Sequence, residues 1–140
     1  MWRCPKCGRS FQRSGQSHSC RVVGLDEHFT AKPEARALFD RLLRDATETV
    51  GPCEVVPLKC CIHLSADADF LAVLPKRDRL EVRFALPEEL HHARVTRSTR
   101  INAAAVKHSV EIAAVDDIDD ELRSWIRRAH QMTERLSDRA

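Results

Sequence analysis

The residues best suited to chemistry stand at the start of the chain, where cysteines and a histidine have the spacing of metal ligands. Cys4 and Cys7 are two residues apart in a Cys-x-x-Cys pattern, and Gly8 allows the tight turn that aims backbone N–H groups at the two sulfurs. His18 and Cys20 flank a single residue, so both point to one side of an extended segment. The four residues predict one structural zinc ion.

The fourth ligand stays open between Cys20 and His28, because the second ligand pair is closer together than in the common pattern. A redox Cys-x-x-Cys normally lies between a strand and a helix, and the residues before Cys4 are too few for that strand. A catalytic zinc would keep one coordination position for water, whereas this arm offers four ligands. We therefore expect the zinc to fold the arm rather than to catalyse a reaction.

Positive charge marks two segments as candidates for binding nucleic acid or an acidic protein surface. The first 25 residues contain five arginines and lysines and no acid, although the whole chain has a net charge of only +2. Further along, Arg94, Thr96, Ser98 and Arg100 would share one face of a strand and could hold phosphate oxygens, or form a solvated face. The predicted anion contacts are Arg3, Lys6, Arg9, Arg13, Arg94, Arg97 and Arg100.

An alternative hypothesis is a small-ligand-binding protein or enzyme with a pocket on the sheet, lined by Lys59, His63, Arg83 and His108. The histidines of the domain that follow His28 lie in no recognisable nucleophile or metal pattern; they are His63, His91, His92, His108 and His130. The few glycines form no phosphate-binding loop, and no His-Glu-x-x-His motif is present. The sequence therefore favours a non-enzymatic interaction module, with catalytic residues left unassigned.

The remaining thiols are interpreted as small apolar side chains. Cys60 and Cys61 are adjacent, and neighbouring residues of a strand point to opposite faces, so we expect them not to form a chelating pair. Cys53 begins a predicted strand, and we expect it to lie in or near the core.

A first helix is predicted from Thr30 as its cap and Pro33 in its first turn to Gly51-Pro52 at its end. A closing helix is predicted after Asp116 or Asp117 as its cap. Each helix has one apolar stripe at three-to-four-residue spacing. The stripes are Ala35, Leu38, Phe39, Leu42 and Ala46 in the first helix, and Leu122, Trp125, Ile126, Ala129, Met132 and Leu136 in the second.

Between the helices the apolar period changes to that of strands. Leu80, Val82, Phe84 and Leu86 alternate with polar or small residues, and residues 75–78 have the composition of a hairpin turn. The predicted strands are 53–58, 60–64, 70–74, 79–86, 94–101 and 106–115. The expected fold is α+β: an antiparallel sheet packed by the two helices, with residues 1–24 as the zinc arm and 25–140 as the domain.

The chain shows no secretory leader and no apolar stretch long enough to cross a bilayer. We therefore expect a cytoplasmic protein with no membrane partner, in a compartment where thiols stay reduced and bind metals.

With these motifs the chain resembles a mostly bacterial family known as domain of unknown function 5655. The resemblance rests on Trp2-x-Cys4-Pro-x-Cys7-Gly-Arg-x-Phe11 with His18-Ser-Cys20, on His28-Phe29, on the segments 70–76 and 107–108, and on the closing 121–129. It implies a small α+β domain preceded by a zinc arm, and it brings no assigned activity or catalytic residue.

Overall fold

The computed structural model describes residues 2–5, 10–11, 24–66 and 68–138 of the chain. Its helices are α1 (Pro33–Val50) and α2 (Asp120–Asp138), with short 3₁₀ helices at Leu25–Phe29 and Val115–Asp117. Its strands are β1 (Trp2–Arg3), β2 (Ser10–Phe11), β3 (Glu54–Pro57), β4 (Ile62–Ala66), β5 (Ala68–Pro75), β6 (Leu80–Leu86), β7 (Val95–Asn102) and β8 (Ala105–Ile112). The predicted α+β class, with helices flanking a run of strands, is confirmed.

Strands β3 to β8 form one six-stranded antiparallel sheet in the order β3-β4-β5-β6-β8-β7. The hairpin between β5 and β6 is closed by the N–H of Lys76, which donates to the carbonyl of Arg79 at 2.8 Å. After β6 the chain bypasses the adjacent position, forms β7 at the edge, and returns as β8 beside β6. The β5–β6 turn lies where the sequence predicts it. The positions of β7 and β8 in the sheet do not follow chain order, and the hydrophobic period of a strand carries no information about its neighbours.

Helix α1 buries the predicted stripe, but it begins later than expected. Lys32 occupies the N-cap position before Pro33, without a side-chain capping bond, and the hydroxyl of Thr30 donates instead to the carbonyl of Glu27 at 3.3 Å. The predicted Thr30 cap is therefore wrong, because the 3₁₀ turn before the helix takes that hydroxyl. Gly51 ends the helix as predicted, with the positive φ of 100° that a residue without Cβ adopts at low cost.

Helix α2 is capped by Asp119 rather than by the predicted Asp116 or Asp117. The carboxylate of Asp119 accepts the N–H of Leu122 at 3.0 Å, as an N-cap does. Asp117 instead accepts the backbone N–H groups of Ala113 and Ala114, so it stabilises the preceding 3₁₀ turn. The predicted stripe is buried from Leu122 to Ala129, Met132 is half-buried, and the side chain of Leu136 lies outside the described residues.

Both helices pack on the same face of the sheet and on each other. Along β6 the side chains of Leu80, Val82, Phe84 and Leu86 are buried beneath them, and the side chains between them are half-exposed on the other face. Burial of each such large apolar side chain contributes about 1.5–3 kcal/mol. Because the described elements cover only one face with helices, the other face is the open face of the sheet. Neither described helix combines the length and apolar character that a membrane crossing requires.

Candidate ligand site on the open face of the sheet

A cleft of ≈ 360 Å³ lies on the open face of the sheet. Its polar lining includes His63, Asp69, Arg83 and Lys107, and the thiols of Cys60 and Cys61 lie at the end of the hairpin that leads into β4. Its remaining walls are mostly apolar, with contributions from Ala72, Leu74, Ala85 and Ile101. We call this set of residues the open-face cleft.

The register of the strands brings His63 and Arg83 onto this face. His63 pairs with Ala72, Ala72 pairs with Arg83, and Arg83 pairs with Ser109, so the four form one row across β4, β5, β6 and β8. Directly paired residues point to the same side of a sheet. Since the residue between His63 and Arg83 is an alanine, the two long side chains stand on either side of a hollow.

Lys107 lies in the next row of the same face, opposite Ala85. Alanine therefore occupies the central strands at both Ala72 and Ala85, where β-branched or aromatic side chains would be more usual. These two short side chains, with long polar ones beside them, give the cleft its depth.

A β-bulge places Asp69 beside His63. Leu64 pairs with Leu71 but Ser65 pairs with Asp69, so Phe70 has no partner in β4. The extra residue turns Phe70 into the core, where its ring meets His130 edge-on at 5.4 Å. It also moves Asp69 to the open face, which strict alternation from Leu71 would not allow.

The imidazole of His63 is oriented by the carboxylate of Asp69, with His63 Nδ1 and Asp69 Oδ2 2.7 Å apart. Since an ionised carboxylate only accepts hydrogen bonds, Nδ1 carries the proton. The other ring nitrogen, Nε2, then accepts a hydrogen bond from a ligand when the ring is neutral and donates one when the ring is protonated. The pair thus supplies an oriented polar contact at one wall of the cleft.

Arg83 and Lys107 are the two cations of the cleft, which also contains the carboxylate of Asp69. Arg83 Nε donates to Glu81 Oε2 at 2.5 Å, which holds the guanidinium in place, and its two terminal amino groups make no hydrogen bond to any residue that the structure describes. The exposed ammonium of Lys107 has no ion-pair partner within the same described ranges. Chemically, two cations with unused donors over an apolar floor can bind an anion.

The thiols of Cys60 and Cys61 converge, contrary to the expectation that they point to opposite faces. β4 begins only at Ile62, and the two cysteines lie in the turn before it, where the N–H of Leu58 donates to the carbonyl of Cys61 at 2.8 Å. Their sulfurs are 3.6 Å apart. Burial, with a smaller effect from the hydrogen bond and charge of Cys60, raises the pKa of Cys61 to about 11 despite the nearby Arg83. Cys61 is therefore a neutral thiol at physiological pH rather than a thiolate nucleophile.

The other two residues of the predicted pocket lie outside the cleft. Lys59 is exposed in the turn before Cys60. His108 pairs with Phe84 and is fully buried on the helix-covered face, its ring stacked on Phe84 at 5.6 Å. Its Nε2 accepts the N–H of Leu90 at 2.9 Å, and its buried Nδ1 has no hydrogen-bond partner among the described residues. Burial lowers the pKa of His108, so it is a neutral core residue.

The residues of the predicted basic face around β7 do not share one face of the strand. Arg94 precedes the strand, pairs with Asp119 at 3.0 Å and donates to the carbonyl of Asp117 at 2.7 Å. Arg97 lies on the open face opposite Ser109, whereas Arg100 pairs with Val106 and belongs to the other side. The hydroxyls are also engaged: Thr96 donates to the carbonyl of Ser109, and Ser98 donates to Glu89. Anion binding by Arg97 and Arg100, both exposed, stays a prediction.

Only part of the predicted zinc arm is described. Trp2 pairs with Phe11 and Arg3 with Ser10 in an antiparallel ladder, and Cys4, which follows β1, is buried. Cys7, His18 and Cys20, with the predicted contacts Lys6, Arg9 and Arg13, lie outside the described residues. Within the described ranges, no group of three or more histidine, cysteine or acidic side chains is placed to hold a metal.

The alternative zinc ligand His28 makes a contact within the domain. Its Nε2 lies 2.6 Å from the carbonyl of Leu58, so it donates to the turn between β3 and β4. This contact ties the 3₁₀ helix before α1 to the strand hairpin that bears the two thiols.

Asp69, Lys107 and the paired thiols were missed by the sequence analysis. Lys107 could have been found, because alternation along β8 sets it on the face opposite to His108. Asp69 could not, since the bulge at Phe70 reverses the alternation and leaves no local sequence signal.

The fold and the cleft together define a small α+β protein whose antiparallel sheet has helices on one face and a polar-rimmed hollow on the other. The chain belongs to the family described as domain of unknown function (DUF5655), whose model matches residues 25–133. The matched region contains the whole six-stranded sheet and leaves out the arm. Comparison with curated proteins and with solved structures gives no match.

Proposed function

We propose that this protein binds a small organic anion in the open-face cleft. The observation that carries the proposal is the pair of cations, Arg83 and Lys107, whose unused donors face a mostly apolar hollow. Arg83 would hold a carboxylate or phosphate through its terminal amino groups, with Lys107 as a second positive contact.

The size and lining of the cleft favour a ligand of about one ring. Its volume of ≈ 360 Å³ is near the lower end of the range for small-molecule sites. The apolar walls at Leu74 and Ile101 suit an aromatic or aliphatic body, and His63 offers Nε2 as a third polar contact. The neutral thiol of Cys61 supports binding rather than covalent catalysis.

Isothermal titration calorimetry with phenyl phosphate and benzoate tests this function. We expect Arg83→Gln to weaken binding about tenfold or more, since a hydrogen bond to a charged group contributes about 1.5–3 kcal/mol. Arg44→Gln, which alters an exposed arginine on α1, is the matched control and should bind as the wild type does. Absence of heat for both ligands at millimolar concentration, or equal binding by the Arg83 variant, would contradict the proposal.

For the arm we propose one structural zinc ion held by Cys4, Cys7, His18 and Cys20, with His28 as the alternative to Cys20. The buried position of Cys4 directly after β1, and the pairing of β1 with β2, support a hairpin that turns around the Cys-x-x-Cys pattern. Zinc supplies the fold of so short a segment, because metal binding and folding are then one event.

The zinc content of the purified protein, measured by atomic emission, tests the arm. We expect about one zinc per chain, a loss of that zinc in Cys7→Ser, and full retention in Cys53→Ser, a thiol of the domain. Zinc content unaffected by Cys7→Ser would refute the assignment.

The basic residues of the arm are proposed to contact nucleic acid or an acidic protein surface, in a cytoplasmic setting that suits the free thiols of Cys53, Cys60 and Cys61. Binding of a labelled oligonucleotide that weakens as salt rises would support the nucleic-acid version. Binding that is absent, or independent of salt, would exclude it.

A further inference from the structure

The two adjacent cysteines at the end of the cleft form a dithiol with the geometry of a chelating pair. In a strand their side chains would diverge, but the turn between β3 and β4 sets Sγ of Cys60 and Sγ of Cys61 3.6 Å apart. Cys60 is exposed to solvent, and both cysteines line the open-face cleft. Cys60 thus presents an accessible thiol, and the buried thiol of Cys61 lies close enough to bind the same atom.

We propose that Cys60 and Cys61 form a binding site for trivalent thiophilic metalloids, with organic arsenicals as the ligand class. This site does not depend on anion binding at Arg83, although it adjoins the same cleft. An organic arsenical needs only two thiol ligands, because its third bond is to carbon.

The distance between the sulfurs fits one atom bound to both. With a bond of about 2.3 Å, the length of a zinc–thiolate bond, sulfurs 3.6 Å apart subtend about 100° at the bound atom. That angle suits a pyramidal three-coordinate centre, so chelation needs little movement of the chain.

The composition of the site favours an arsenical over a divalent metal and over a disulfide. Zinc in a structural site takes four protein ligands, and the described residues place no third histidine, cysteine or acid with the two thiols. A disulfide would require the sulfurs to approach to about 2.05 Å.

The cleft next to the dithiol can accept the organic group of such a ligand. Ala72 and Leu74 contribute apolar surface on the same face, and the hollow above Ala72 is open. A phenyl substituent on the arsenic would lie there, which favours aryl arsenicals over inorganic arsenite.

Phenylarsine oxide is the probe that tests the site. The reaction is a condensation without a change of oxidation state. Two S–H bonds and the arsenic–oxygen double bond are lost, two As–S bonds form, and the oxygen leaves as water with the two thiol protons. With the zinc-loaded full chain, we expect intact-mass spectrometry to show one phenylarsenic adduct that survives excess monothiol and is removed by a small dithiol.

The cysteine variants make the assignment specific. Cys60→Ser and Cys61→Ser should each lose about a hundredfold or more in affinity, because only the paired thiols make the second bond intramolecular. Cys53→Ser, the matched control, should retain the adduct. Since Cys60 is exposed, its variant should keep the melting temperature of the wild type.

Three results would overturn the site: no adduct on the wild type, an equally stable adduct on Cys60→Ser, or loss of the adduct in Cys4→Ser with the Cys60 variant unaffected. Failure here leaves the binding of phenyl phosphate to wild type and its loss in Arg83→Gln unchanged, so the two proposals fail separately.

Discussion

At the scale of single residues, the open face owes its cleft to two alanines in the middle of the sheet. Ala72 lies between His63 and Arg83, and Ala85 lies opposite Lys107, so short side chains alternate with long polar ones. A larger residue at either position would fill the hollow without entering the core. The small side chain is therefore as much a part of the site as the cations.

A substitution that fills the hollow tests whether Ala72 belongs to the ligand site. Ala72→Leu should weaken phenyl phosphate binding by more than about tenfold, or about 1.4 kcal/mol, because the new side chain occupies the ligand's volume. Its melting temperature should not fall, since residue 72 faces away from the helices. Ala37→Leu on the exposed surface of α1 serves as the control in calorimetry. Unaltered binding by Ala72→Leu would mean that the ligand lies elsewhere.

The buried imidazole of His108 predicts how stability depends on pH. Burial lowers the pKa of His108 in the folded state, against the smaller opposing effect of Glu89, so the unfolded chain takes up a proton first as pH falls. The free energy of unfolding should be level above about pH 7 and should then decrease below about pH 6.5, by up to about 1.4 kcal/mol per pH unit. The decrease ends where the folded protein is itself protonated.

Urea unfolding between pH 7.5 and about pH 5 measures the effect. His108→Gln should flatten this decrease while an acceptor for the N–H of Leu90 is kept, and His91→Gln, an exposed histidine, should leave the decrease as it is. An unchanged slope in His108→Gln would show that another group accounts for it.

At the scale of elements, the start of α2 shows that the local sequence does not determine which residue caps a helix. Asp116, Asp117, Asp119 and Asp120 are all plausible caps, and propensity does not choose among them. In the structure Asp119 is the cap, and Arg94, the residue directly before β7, pairs with its carboxylate. Burial raises the pKa of Asp119, but the N–H of Leu122 and the charge of Arg94 outweigh it and lower that pKa overall.

Two substitutions separate the cap from the ion pair. Asp119→Ala removes both and should destabilise the protein by about 0.5–2 kcal/mol from the cap alone. Asp119→Asn keeps a side-chain acceptor for Leu122 and should cost less. Thermal unfolding gives the comparison, and equal losses in the two variants would contradict a role for the cap.

The arrangement of the elements also shows which features of the sheet could be predicted from the sequence. All six sheet strands could be predicted from segments rich in Val, Ile, Leu and Thr between turn-like breaks, and alternation is clearest from Leu80 to Leu86. The bulge at Phe70 and the edge position of β7 depend on which neighbour each strand meets, and no local pattern encodes that. His63 and Arg83 could therefore be assigned to one site from the sequence, whereas Asp69 could not.

At the scale of the whole molecule, the two described helices cover one face of the sheet, and the proposed ligand site lies on the other. The ring of Trp125 in α2 stacks on that of Phe84 in β6, with their centres 5.9 Å apart. The guanidinium of Arg94, just before β7, lies 5.8 Å from the centre of the Trp125 ring. One side chain of α2 therefore contacts both the sheet and the segment that leads to its edge strand. This division explains why polar residues of the sheet are of two kinds: His108 is buried on the helix-covered face, and Arg83 lies half-exposed on the open face.

The stability of this arrangement depends on the helix-covered face. Ile126→Ala should lower the free energy of unfolding by about 2–5 kcal/mol, because the fully buried side chain leaves a cavity between α2 and the sheet. Arg127→Ala, at the exposed neighbouring position, should change it by no more than about 0.5 kcal/mol. Urea unfolding of both proteins measures the difference, and a similar small change in each would mean that the core is not where we describe it.

Phenyl phosphate titrated into isotope-labelled protein, followed by amide chemical shifts, tests the central claim most directly. We predict saturable shifts at Cys61, His63, Ala72, Arg83 and Lys107, all of which line the cleft on the open face. Amides on the solvent-exposed surfaces of α1 and α2 should stay in place. Shifts confined to the arm or to the helices, or no saturable shift at all, would contradict a ligand site on the open face of the sheet.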